Sequence, residues 1–188
     1  MDIDTGSKDL QQCADAVMRL RAEYLYLKRD FARIHFNFTS GDTAHFVEWA
    51  KGFRPVVSGN VVRWQKTKSP DDSYSSFREF LNIVFTYAGS ASLAREMETI
   101  ANVGEIRAGD VFVEGGSPGH AVIVLDVAKE TRTGRRVFLL AQSYMPAQDI
   151  HILKNPAAGS LSPWYDADFG PTLRTPEWTF RREHLRRF

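Results

Sequence analysis

The sequence has a single cysteine, no long apolar run and almost no net charge. Cys13 is the only cysteine among 188 residues, which excludes an intrachain disulfide and a cysteine-rich metal site. No apolar run approaches the roughly 20 residues that span a bilayer, so we expect no membrane-spanning segment. Lys and Arg total 24 against 23 Asp and Glu, and the formal charge of +1 gives no electrostatic reason to expect nucleic acid as a partner.

Motifs for metals and nucleotides are also missing. The histidines that could serve as ligands show no ligand spacing with acidic residues, and no His-Glu-x-x-His pattern occurs: His35, His45, His151 and His184. There is no Gly-x-Gly-x-x-Gly or Walker loop. The sequence therefore predicts that no metal and no cofactor is required.

Length and composition fit one globular domain, with 43% hydrophobic and 25% charged residues. We predict an α+β fold that forms a single domain over residues 1–188. Its parts are a mainly helical region at 9–103, an antiparallel sheet at 104–155 and a surface-wrapping segment at 156–188. Residues 1–8 lack the apolar stretch of a signal peptide, and we interpret them as the clipped edge of a longer precursor.

Apolar spacing predicts the helices. A stripe with intervals of three and four residues predicts an amphipathic helix from Asp9 to about Asp30: Leu10, Cys13, Val17, Leu20, Tyr24 and Leu27. Ser7 or Asp9 would cap its start. Further helices are predicted over 42–51, 74–88 and 92–101, with an extended segment at 53–66 that is broken at Pro55.

Strands are predicted after Gly104, where short apolar runs alternate with turn residues. The runs lie at 110–113, 121–127, 137–141 and 150–153. A glycine-rich turn at 115–119 precedes the second run, and a hairpin loop at 131–134 follows it.

Three residues could form a catalytic site. Cys13 lies in the first turns of the predicted helix, where backbone N–H groups stabilise a thiolate, although its place on the apolar stripe also fits a core residue. His120 opens a strand and could act as a base, or could simply hydrogen-bond the glycine turn. The hairpin count places residues 142–145 opposite His120, so Gln142 or Ser143 could orient the imidazole or could be a polar strand end.

Two glutamines precede the cysteine. Gln11 and Gln12 could donate hydrogen bonds to an oxyanion, but exposed helix positions explain them equally simply.

Several strings resemble a bacterial domain-of-unknown-function family, the one numbered 4846. They are Gln11–Ala16, Gly109–Val113, Pro118–Val122, Leu140–Gln148, Ser162–Tyr165 and Thr175–Trp178. The resemblance extends over nearly the whole chain from Asp9 and brings no known activity. It implies a cell-envelope or periplasmic protein with an upstream region that is missing here.

The order of the motifs is also similar to the NlpC-type papain-like cell-wall peptidases. In that family a Gly-Asp strand precedes a strand that opens with Gly-His, as Gly109-Asp110 and Gly119-His120 do here. The resemblance implies a papain-like fold with Cys13 as nucleophile, His120 as base and Gln142 as the orienting residue.

Two functions are compatible with these observations. The first is a cysteine hydrolase that acts on an amide or peptide bond, with a peptide or peptidoglycan-like substrate. The alternative is a non-catalytic cell-envelope domain that binds peptide or glycan through its aromatic C-terminal segment, which includes Trp164, Tyr165 and Trp178. An exposed Cys13 close to His120 would favour the enzyme, and a Cys13 sealed in apolar packing would favour the binding domain. The oligomeric state is unknown.

Overall fold

A computed structural model describes residues 10–188 and shows a chain of mixed helix and strand. Four α-helices lie in this part: α1 Cys13–Leu27, α2 Phe46–Ala50, α3 Tyr74–Tyr87 and α4 Ser90–Glu96. Its strands are β1 His35–Asn37, β2 Thr43–His45, β3 Phe53–Ser58, β4 Val61–Lys66, β5 Glu98–Thr99, β6 Val111–Glu114, β7 His120–Lys129, β8 Arg136–Gln142, β9 His151–Ile152, β10 Trp164–Asp166, β11 Thr172–Arg174, β12 Thr179–Arg181 and β13 Leu185–Arg187.

The main sheet has seven strands in the described residues. Its order is β10-β8-β7-β6-β13-β5, and β9 pairs with the far end of β8. The long antiparallel hairpin of β7 and β8 is its largest pairing, and a bulge lies between Val124 and Asp126. Three two-stranded sheets, β1–β2, β3–β4 and β11–β12, lie outside it.

Both faces of this sheet are buried. Successive side chains of a strand point to opposite faces, and β6 shows this directly. Val111 and Val113 pack with helices α1, α3 and α4, whereas Phe112 packs on the other face against the C-terminal strands. The helical half and the C-terminal segment therefore cover the two sides of one sheet.

The first helix is shorter than predicted, and a different face of it is buried. Tyr24 and Leu27 on the predicted stripe are 62% and 80% exposed, while Met18, Ala22 and Leu25 are buried. The alanines of this helix were not included in the predicted apolar stripe because they are weakly hydrophobic. Their small side chains nevertheless let the helix pack closely on the sheet. The caps proposed at Ser7 and Asp9, and the clipped edge at 1–8, lie outside the described residues.

Two other predicted helices were wrong in type or length, and the predicted extended segment was confirmed but without its break. The helix expected at 42–51 is the short strand β2 followed by α2. The extended segment at 53–66 is the hairpin of β3 and β4, and Pro55 lies within β3 without breaking it. The helix expected at 92–101 ends at Glu96, because the next residues form β5 and pair with Arg186 and Arg187.

The C-terminal segment does more than wrap the surface. Residues 156–188 supply β10 and β13 to the main sheet and bury four large side chains: Tyr165, Leu173, Phe180 and Leu185. The Arg187 guanidinium binds both carboxylate oxygens of Asp110 at 2.7 Å, which fastens β13 beside the start of β6. Sequence patterns missed this because these strands are only three residues long and pair over long distances in the chain.

Candidate active site

Cys13 is the first residue of α1. Gln12 is the N-cap, and its backbone N–H donates to the Asp15 carboxylate at 3.0 Å. The sequence had placed Cys13 about one turn into the helix, whereas Gln11, with φ of 73°, turns the chain just before the helix begins. The unpaired N–H groups of the first turn and the positive end of the helix dipole therefore lie at the cysteine.

Two influences on the Cys13 thiol oppose each other. Burial raises the pKa of the thiol, the N–H groups of Ala14 and Ala121 lower it, and the Asp15 carboxylate adds to the rise. The rise is the net result, so the resting sulfur is a protonated thiol. The Cys13 sulfur interacts with the N–H group of Ala121, the residue after His120. The sulfur therefore lies near the start of β7.

His120 is buried, and its Nε2 lies 2.7 Å from Oε1 of Gln142. Burial lowers the pKa of His120, and the hydrogen bond that the imidazole donates to Gln142 and the charge of Glu177 partly offset that fall. Gln142 ends β8, the strand that pairs with β7. The β7–β8 hairpin thus places the histidine and the glutamine side by side, and the imidazole is neutral at pH 7.

The site extends beyond the predicted residues. The amide Nε2 of Gln142 donates to Oε2 of Glu177 at 2.9 Å. The rings of Tyr144 and Trp178 lie 5.4 and 5.5 Å from the imidazole, measured between centroids. Sequence reasoning missed Glu177 and Tyr144 as site residues, although both lie in strings that carried the family resemblance. Only the three-dimensional fold brings them to His120.

Cys13 and His120 line the same cavity, whose volume is about 500 Å³. Its other walls come from the first turn of α1, the end of α3, the glycine-rich turn and the rings of Tyr144 and Trp178. Cys13 is partly accessible instead of sealed in the core. The structure therefore places Cys13 and His120 in the lining of one cleft, and Gln142 contacts the imidazole without lining that cleft.

Two other predicted polar residues have different roles. The hydroxyl of Ser143 donates to the carbonyl of Gln148 at 2.7 Å, so Gln142 is the residue that holds the imidazole. Gln11 is fully buried, and its Oε1 accepts from Arg19 at 2.8 Å, which corrects the expectation of an exposed helix residue. Gln12 lines the cleft, but Gln11 does not.

The aromatic residues of the C-terminal segment do not share one surface. Tyr165 is buried and stacks on Phe138, while Trp178 lines the cleft. Of Trp164, Tyr165 and Trp178, the residue that lines this cleft is Trp178.

Asp15 is a further titratable residue of the cleft that sequence reasoning missed. Burial raises the pKa of its carboxyl to about 7, against the lowering effect of the N–H groups of Gln12 and Gln11. Asp15 therefore changes its charge near neutrality, in the same first turn of α1 as the cysteine.

Neither a metal cluster nor a membrane helix is found in the described part of the chain. Residues 10–188 contain no group of three or more histidine, cysteine, aspartate or glutamate side chains placed to hold a metal ion. None of the helices in this range combines the length and the apolar character needed to cross a bilayer.

Fold and site together define a protein of mixed helix and strand whose cleft is lined by a cysteine and by a histidine that is hydrogen-bonded to a glutamine. The family model described as a domain of unknown function (4846) matches residues 1–187. The chain belongs to this family, as the strings in its sequence predicted. No curated protein and no solved structure matches the chain significantly.

Proposed function

We propose that the protein is a cysteine hydrolase that cleaves an amide or peptide bond, with a papain-like division of roles. The observation that carries the proposal is the shared cleft of Cys13 and His120, with the imidazole Nε2 held at 2.7 Å by Gln142. A histidine whose Nε2 is occupied keeps Nδ1 for proton transfer. In a Cys–His–amide arrangement the imidazole activates the thiol and the amide orients the imidazole.

The chemistry follows from these roles. Nδ1 of His120 takes the thiol proton as the Cys13 sulfur bonds to the carbonyl carbon of the substrate. The oxygen that becomes negative is stabilised by N–H groups at the start of α1. The C–N bond then breaks, and the leaving amine takes the proton from the imidazolium. Water, deprotonated by His120, attacks the thioester and releases the carboxylic acid and the thiol.

The raised pKa of Cys13 indicates how its thiol would be activated for attack. A protonated thiol beside a neutral imidazole means that His120 acts as a general base during attack, without a preformed thiolate–imidazolium pair. General-base assistance typically contributes about 10²–10⁴-fold in rate. Reactivity should therefore depend on His120 and should be lost as that imidazole is protonated in acid.

The test is the rate at which iodoacetamide alkylates Cys13 at pH 7. We expect no labelling of Cys13→Ser and at least a roughly tenfold slower reaction of His120→Asn and Gln142→Ala, since the base is removed or misoriented. His151→Asn is the matched control, because His151 binds only a nearby backbone carbonyl outside the cleft. Equal rates for the wild-type protein and His120→Asn would rule out the hydrolase.

A peptide of the cell wall is the substrate class that we propose, and the cell envelope or periplasm is the proposed compartment. Both rest on the resemblance to NlpC-type peptidases and to the family. A release assay on peptidoglycan fragments would show new amino groups with the wild-type protein and none with Cys13→Ser.

A binding domain is the second candidate, and the raised thiol pKa together with the rings of Tyr144 and Trp178 in the cleft favours it. In that case Cys13→Ser would bind peptide or glycan fragments as tightly as the wild-type protein, and neither would release product. Titration calorimetry on both proteins would distinguish this candidate from the hydrolase.

A further inference from the structure

Glu177 occupies a rigid position beside the cleft. It lies in the tight connection between β11 and β12, where the Thr175 N–H donates to the carbonyl of Trp178 at 2.8 Å. The Trp178 N–H donates back to the Thr175 hydroxyl at 3.2 Å, and the indole N–H of Trp178 donates to Glu114 at 3.0 Å. These hydrogen bonds fix the backbone on both sides of Glu177, so its carboxylate is presented to Gln142 in one place.

The contact of Glu177 decides which way the Gln142 amide points. An amide offers an NH₂ donor at one end and a carbonyl acceptor at the other, and rotation exchanges them. An ionised carboxylate only accepts, so Nε2 of Gln142 must face Glu177 and Oε1 must face His120. A carbonyl oxygen beside Nε2 of the imidazole requires the proton on Nε2 and leaves Nδ1 bare.

We propose that Glu177 is a positioning residue, whose carboxylate fixes the Gln142 amide and thereby holds His120 in the tautomer with a bare Nδ1. The inference deepens the proposed hydrolase, because this tautomer is the one that can take the proton of Cys13. The claim that Glu177 sets the tautomer of His120 does not depend on catalysis. Without Glu177 the amide can rotate, present NH₂ to Nε2 and move the proton to Nδ1, which would disable the base.

Other charged or titratable groups near the imidazole do not set this orientation. Cys13 and Asp15 reach the cleft from α1, and Tyr144 follows β8. Glu114 lies opposite His120 on β6, but its carboxylate accepts from the Trp178 indole and lies 3.6 Å from Nδ1 of His184. The contact that orients the Gln142 amide comes from Glu177.

The first measurement is the ring-nitrogen NMR spectrum of the protein labelled with ¹⁵N histidine. We expect His120 of the wild-type protein to be in the Nε2–H form at pH 7.5, and Glu177→Ala to show a mixture of both tautomers. Glu177→Gln should be intermediate, since a neutral amide can accept but can also donate. Glu177 is exposed, so these variants should fold, and Glu183→Gln removes an equivalent exposed charge as the control.

The second measurement is a double-mutant cycle on the alkylation of Cys13. Glu177→Ala should slow labelling about tenfold, the usual size of a lost hydrogen bond to a charged group. It should have no further effect once Gln142→Ala is present, because Glu177 acts only through that amide. An additive effect in the double variant would overturn the inference.

The two proposals fail in different ways. A wild-type His120 in the Nδ1–H form, or tautomers unchanged by Glu177→Ala, overturns the role of Glu177 even if Cys13 is reactive. A tautomer shift in Glu177→Ala together with a labelling rate that does not depend on His120 supports the role of Glu177 and rules out the hydrolase.

Discussion

At the residue scale, the first turn of α1 holds two ionisable groups that influence each other. Burial disfavours the charged form of both Cys13 and Asp15, and the charge of Asp15 further raises the pKa of the thiol. Backbone N–H groups at the start of the helix lower the pKa of both side chains and so oppose the rise that burial causes. The charge of this turn therefore depends on pH in the range where the protein would act.

The Asp15 carboxyl should make the protein less stable as the pH rises. Its pKa is about 7 in the folded state and about 4 when unfolded, so between these values the folded chain binds more protons. The free energy of unfolding should therefore fall between pH 4 and pH 7, by on the order of 3 kcal/mol. Urea unfolding of the wild-type protein and of Asp15→Asn at several pH values measures this.

Asp15→Asn should flatten this pH dependence, because the amide keeps an oxygen for the Gln12 N–H but does not titrate. Asp149→Asn, at an exposed position, should leave the curve unchanged. A steep fall in Asp15→Asn would assign the effect to other groups.

Asp15→Asn should also make Cys13 more reactive at pH 8. At that pH the wild-type carboxyl is ionised and opposes formation of the thiolate. Removing this charge should increase the alkylation rate about threefold or more, the size expected of a nearby charge in a partly solvated site. No difference at pH 8 would mean that the carboxylate is screened from the sulfur.

At the element scale, the glycine-rich turn lets β7 begin directly against helix α4. A Cβ added at Gly119 would lie 2.3 Å from the Ser90 hydroxyl and 2.8 Å from the carbonyl of Glu114. The second of these atoms is backbone and cannot rotate away. This turn precedes His120, so the close approach also fixes where the imidazole enters the cleft.

Gly119→Ala should therefore destabilise the protein by about 1–3 kcal/mol, the usual cost of overpacking. It should also slow the alkylation of Cys13, because the start of β7 must shift. Gly159→Ala is the control, since a Cβ there meets no atom within 4 Å. Denaturant midpoints of the two variants give the comparison, and equal midpoints would contradict the crowding.

Elements with a strong local pattern were predicted well, and elements that depend on distant partners were not. Helix α3 at Tyr74–Tyr87 agrees with the prediction of 74–88 within one residue, and the β7–β8 hairpin was found with its loop. The strands β5 and β13 were missed. Their residues carry no period of their own, and Arg186 pairs with Thr99, which lies 87 residues earlier in the chain.

At the scale of the whole molecule, one sheet separates two clusters of buried residues. Helices α1, α3 and α4 cover one face, and the C-terminal strands cover the other. Because adjacent residues of the same strands belong to different clusters, loss of either cluster should expose the sheet that supports the other. A single domain over the chain remains our prediction.

This arrangement predicts one cooperative unfolding transition. Leu81→Ala in the helical cluster and Leu173→Ala in the C-terminal cluster should each lower the free energy of unfolding by about 2–5 kcal/mol. Far-ultraviolet circular dichroism and tryptophan fluorescence should report the same midpoint in both variants. Separate midpoints for the two probes would show two independent units.

The sequence by itself determined the family, the mixture of helix and strand, and the choice of Cys13, His120 and Gln142 as candidates. Those inferences needed only short-range periodicity, turn residues and characteristic strings. Only the tertiary structure decided that Cys13 and His120 line one cleft, that Cys13 begins its helix, and that Glu177 reaches Gln142. Contacts such as these join residues 22 positions apart or more, and their geometry depends on how the hairpins pack. A side chain's neighbours, and hence its pKa and its tautomer, are properties of that packing and leave no periodic trace in the sequence.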